Sequence, residues 1–177
     1  MNLRNTKASY GWPAKALHWV MALLIISMIA FGLFMSDLPR GPEKSTLIRL
    51  HASTGMLAMM LLIVRFGWKV RSVSPTPLSE IKWQVSLASL VHWAFYAVIA
   101  FQVVAGSMSL MTVGWDLPFF EIFSIATPFE RDIERHHFWE ELHIAGWYAL
   151  AALFALHIGG VLYHQFISKK RALKRIL

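Results

Sequence analysis

Four long apolar runs divide the chain, and its polar residues gather between them. The runs cover about residues 14–35, 47–68, 85–111 and 142–166. A helix rising about 1.5 Å per residue crosses the roughly 30 Å hydrocarbon core of a bilayer in about 20 residues. Each run meets that length. None has an interior proline, and all are rich in Leu, Ala, Met and Phe. That composition predicts helices rather than strands. The first run is too long for the apolar core of a signal peptide, and no small-x-small cleavage site follows it.

The connections read differently from the runs. Asp37 to Ser45 holds Pro39, Gly41 and Pro42, the composition of a tight turn. Arg71 to Trp83 holds Pro75 and Pro77. Thr112 to Phe138 is the longest connection and is aromatic and acidic. Within and beyond it, ERDIERHHFWEE suits either a short amphipathic helix at the interface or a solvated charge run. No internal repeat is visible.

Composition agrees with a membrane protein. The chain is 56% hydrophobic and only 15% charged, too little polar surface for a soluble domain of this size. With 177 residues it makes one domain, 1–177, expected to be an all-α, integral membrane four-helix bundle. The absence of cysteine removes disulfides, thiolate-held clusters and covalent haem attachment. The net charge of +7 reads as basic ends at a membrane face, and nucleic acid is not an expected partner.

Four spans leave both termini on one side. Twelve of the 17 Lys and Arg flank the termini and the Pro75/Pro77 loop, whereas nine of the ten acids lie on the other side. The positive-inside rule therefore makes the termini cytoplasmic. Sequence position then becomes depth. His18, His92 and His157 fall at the inner level, and His51 and His143 at the outer level. His143 and His157 are fourteen residues apart on one helix. They share a face to within about 40° and stand about 21 Å apart along the axis.

Ionisable residues inside a membrane are costly and usually functional. Zinc prefers four ligands with thiolate or carboxylate help, and no deep carboxylate is present. Facing imidazoles suit an iron held from both sides in a haem. His18 plus fourteen is Gly32, and His92 plus fourteen is Gly106. Each glycine gives a macrocycle room near the outer level. His51 plus fourteen is Arg65, which suits a haem propionate as well as a snorkelling role. Residue spacing favours His157 at the inner level but leaves its partner open between His18 and His92.

The segments ALHW, LHASTG, LVHWAFY and the LH-x13-H of the last span resemble the bacterial cytochrome b561 family, as does the ending YHQFISKKRALKRIL. The resemblance covers nearly the whole chain. It implies a bacterial inner-membrane protein with two b-type haems that exchanges electrons with quinone, with ubiquinone as acceptor. It implies an outer haem between His51 and His143 and an inner haem between His18 and His157. His92, His164 and Tyr163 would lie on the quinone side. The family often has two adjacent histidines where this chain has Tyr163 and His164, and a phenol does not titrate near neutral pH. His136 and His137 lie outside the ligand spacing and read as interfacial.

Three functions are in view. The first is electron transfer between an external donor, superoxide among the candidates, and the quinone pool; with superoxide the chain would be an enzyme. Lys44, Arg131 and Arg135 near the outer mouth would attract an anion, against the nearby acids. The second is a membrane subunit serving a peripheral hydrogenase or dehydrogenase, with LPFFEIF as its docking patch. The third, a non-redox transporter, calls for inverted repeats or broken helices.

Overall fold

A computed structural model describes residues 2–177. Four helices dominate: α1 (Trp12–Ser36), α2 (Pro42–Arg71), α3 (Lys82–Thr112) and α4 (Ile133–Leu162). All four are long and apolar enough to cross a membrane. Pro13 and Pro42 sit in the first turns of α1 and α2, where a missing N–H costs nothing. The bundle is all-α with one addition. Strands β1 (Leu117–Phe119) and β2 (Phe123–Ile125) form an antiparallel hairpin, with Leu117 opposite Ile125 and Phe119 opposite Phe123.

The helices outrun the apolar runs, most of all at α4. Its opening stretch, Ile133–Glu141, belongs to the charged segment expected to be a separate interfacial helix or a solvated run. Asp132 caps α4 by accepting the Arg135 N–H at 3.0 Å. It also pairs with the Arg135 side chain at 3.1 Å. Glu134 adds a favourable charge to the first turn. Hydropathy marks where a helix meets lipid; capping marks where it starts. At the other end, Tyr163–Ile167 form a π-helical turn and Ala172–Arg175 a short 3-10 turn.

The middle of the bundle is packed by Met21, Ile25, Ala58, Leu62, Ile99 and Leu150, drawn from all four helices. Large apolar residues such as Leu23, Ile63, Leu90 and Leu156 point outward instead. In water this surface would be an aggregation hazard; in a bilayer it is solvated by lipid.

The two ends differ. At one, the termini and the Pro75/Pro77 loop are tied together. Thr76 N–H donates to Lys7 O at 3.0 Å, Arg175 donates to Thr76 O, and Trp19 Nε1–H donates to Ile176 O at 2.9 Å. At the other, the hairpin lies over α2. The Ser53 hydroxyl, 2% exposed, accepts the Phe120 N–H at 3.0 Å and donates to Pro118 O at 3.1 Å. At the hairpin tip, Phe120 and Glu121 both adopt left-handed backbone, φ 45° and 58°. A tight hairpin turn needs that conformation, and non-glycine residues adopt it at a cost. Arg49 holds the tip through Glu121 at 2.9 Å.

Candidate haem sites

The fold brings His51 of α2 and His143 of α4 together at the hairpin end. Their ring centroids lie 6.2 Å apart, with the planes nearly perpendicular. Both predicted glycines are there, and the space each opens is filled by an imidazole. A Cβ on Gly106 would lie 2.9 Å from His143 Cε1. One on Gly32 would lie 3.4 Å from His51 Cε1. His143 Nδ1–H donates to the Gln102 carbonyl at 2.9 Å. That bond fixes the tautomer and leaves the Nε2 lone pair free to ligate. The His51 Nδ1 is buried without a hydrogen-bond partner.

At the terminal end the structure gathers His18, His92 and His157 around one point. His157 lies 6.2 Å from His18 and 5.6 Å from His92, centroid to centroid. Arg65, from α2, reaches into this group and donates through Nη2 to His18 Nδ1 at 3.0 Å. Its guanidinium stands 6.0 Å from the Tyr96 ring centroid. Lys69 lies 5.2 Å from that of Trp93. Lys69, Trp93 and Tyr96 are not among the predicted site residues; the spacing of Arg65 and Lys69, one helical turn apart, is the available signal.

Other predicted residues lie elsewhere. Tyr163 and His164 are in the π-helical turn, about 10 Å further along the axis than His157 by helical rise. His164 Nδ1 is 3.2 Å from Ser168 Oγ. Lys44 is committed to the carbonyls of Ser36 and Leu38, at 3.1 and 2.8 Å, and Arg135 to Asp132. A recess of about 450 Å³ at the hairpin end is instead lined by Arg49, together with Ser45, Gly114, Trp115 and Asp116.

Donor nitrogens about 2 Å from a metal held in line between two imidazoles put the ring centroids about 6 Å apart. His51–His143 and His18–His157 have that separation at 6.2 Å, with His92–His157 close to it at 5.6 Å, and a mainly apolar cleft lined by Leu24, Ser27, Met28, Phe31, Leu50 and Thr54 adjoins the pair at the hairpin end. Residues 9–177 match the family model described as prokaryotic cytochrome b561.

The chain belongs to the prokaryotic cytochrome b561 family.

Among its relatives is cytochrome b561 homolog 2 of Escherichia coli (strain K12), 30% identical over 185 residues. That match covers all of this chain and 95% of the relative. Cytochrome b561 homolog 1 of the same organism is 25% identical over 173 residues, covering 91% of this chain and 92% of the relative. This cytochrome is therefore a bacterial membrane protein that binds b-type haem and transfers electrons. The residues present fit that group. The paired imidazoles, the orphaned ring nitrogen on His51 and the glycine notches beside His51 and His143 would suit a haem iron.

Proposed function

We propose that the cytochrome holds two haems, one by His51 and His143 and one by His18 and His157. On this reading it moves electrons between a donor at the hairpin face and ubiquinone at the terminal face. The observation that carries the reading is the matched pair of 6.2 Å imidazole separations, one at each level. When bound, each haem supplies one-electron chemistry at its iron. The chain's own residues do the rest. Gly106 and Gly32 let the outer imidazoles approach the backbone. The Gln102 carbonyl sets the His143 tautomer. Leu150 and its neighbours keep the middle of the bundle dry.

The inner level calls for a rearrangement. A neutral His18 ring that accepts from Arg65 at Nδ1 carries its proton on Nε2. Nε2 becomes a ligand only when that proton moves to Nδ1 and Arg65 turns away. Arg65 would then be placed to pair its guanidinium with a haem propionate. His92, beside His157 but outside this pairing, is then free to exchange a proton with reduced quinone. His164 and Tyr163 would stand further out on the same path.

The basic residues of the terminal face support the cytoplasmic side for both termini, in the bacterial inner membrane. Reporter fusions at residue 177 and in the 113–131 loop test this, with cytoplasmic and periplasmic activity expected respectively. For the function, superoxide is supplied to haem-loaded protein in detergent with a water-soluble ubiquinone. Quinone reduction at two haems per chain supports the reading; a colourless preparation overturns it.

One observation favours a second reading. Phe120, Ile122, Phe123 and Ile125 expose apolar surface at the hairpin, as expected of a dock for a peripheral redox enzyme. Replacing Ile122 and Phe123 by serine would then slow reduction by that enzyme at unchanged haem content. Equal rates would remove this reading.

A further inference from the structure

Outward of the proposed outer haem ligands, the first turns of α4 carry three side chains the electron path does not use. His136, His137 and Glu140 offer one donor atom each, all within 4.8 Å of one another. His137 Nδ1 is 3.4 Å from Glu140 Oε2, and His136 Nε2 is 3.8 Å from the same oxygen. The second distance is too long for a hydrogen bond. Both are close to the edge of a tetrahedral shell, about 3.4 Å for bonds of about 2.1 Å. The helix makes this convergence natural. Glu140 is four residues from His136 and three from His137, so it lies between them on the surface.

His136 is also prepared for ligation. Its Nδ1–H donates to the Ser109 carbonyl at 2.9 Å, which holds the ring against α3 and turns a free Nε2 toward Glu140. A carbonyl behind the ring is the usual support of a metal-bound histidine. The electrostatics favour a cation: between residues 130 and 141 stand five acids and two arginines. The arginines are not the partners of Glu140; its ion-pair neighbours are the two histidines. His137 and Glu140 are exposed, so the site is reachable from the aqueous side.

We propose that His136, His137 and Glu140 bind a divalent ion of the zinc class at the outer end of α4. Two imidazoles and a carboxylate, with positions left for water, select a borderline transition metal over calcium or magnesium. Seven residues separate His136 from His143, so the ion would stand about 10 Å outward of that ligand on nearly the same helical face. Through Ser109 it would fasten the end of α4 to α3.

The test uses the full chain, haem-loaded in detergent and stripped with a chelator. Zinc is titrated by equilibrium dialysis with metal analysis. One zinc per chain is expected, with affinity lowered at least about tenfold in both His137→Ala and Glu140→Gln. Zinc should also raise the unfolding temperature of the parent chain and of neither variant. Both substitutions are at exposed positions, and an unchanged haem spectrum certifies the fold. No bound zinc, or equal affinity in parent and variants, would overturn the proposal.

Discussion

The two histidine levels are built on opposite plans. At the hairpin end two imidazoles meet, each backed by a glycine, and the His143 proton is fixed on a backbone carbonyl. At the terminal end three imidazoles crowd together, and an arginine donates to one of them. The outer level is arranged for a group that stays. The inner level has a third imidazole and an arginine donor, with a π-helical turn about 10 Å further along α4. Under the proposed function, the chain would hold its cofactor firmly where electrons enter and keep titratable groups free where a quinone takes up protons.

The largest effect expected from this contrast is at His143. His143→Ala should remove one haem of two, read by pyridine haemochrome against protein, and leave the inner spectrum. Retention of both haems would end the assignment. Gly106→Ala comes next. A Cβ 2.9 Å from the imidazole must displace it, an overpacking of about 1–3 kcal/mol, and outer-haem occupancy should fall. Gly160→Ala, with open space around the new methyl, is the matched control and should change nothing. His92→Ala tests the exchangeable end. Both haems should remain, while quinone reduction slows by about 10²-fold, the usual worth of a positioned acid or base. Loss of the inner haem would transfer the ligand role to His92. Arg65→Gln should lower the inner potential and leave the outer one, by an amount of order 1–3 kcal/mol for a charge-assisted contact. Potentiometric titration separates the two. The smallest effect is at Ser53. Ser53→Ala frees the hairpin at about 1–2 kcal/mol, seen as faster proteolysis within residues 113–131 at unchanged haem content.

How much of this was readable without coordinates follows from which force sets each feature. Bilayer thickness imposes an apolar run of known length, so the four spans were legible. Their ends were not: Pro42 and Asp132 start helices through backbone geometry and capping, in segments hydropathy scores as polar. The fourteen-residue recurrence of His143 and His157 was legible because helical rise and twist are nearly constant. The glycines were read as room for a macrocycle, and the structure fills the space beside them with imidazoles; spacing locates a gap but does not name its occupant. The β1–β2 hairpin left no trace, since LPFFEIF lacks alternation and turn glycine, and Ser53, far away in sequence, pins it. The inner partner of His157 stays a matter of chemistry, because His18 and His92 both reach it.

The position of α4 in the chain bears on biogenesis. It is the last of the four spans to be synthesised, and it supplies one histidine to each level. A nascent chain holding only α1–α3 has a single outer imidazole and a pair of inner ones on helices that close around nothing. Neither facing pair exists until the final span is inserted. Haem capture in the proposed sites would therefore report that translation had passed α4, and a chain released before it would lack both proposed pairs.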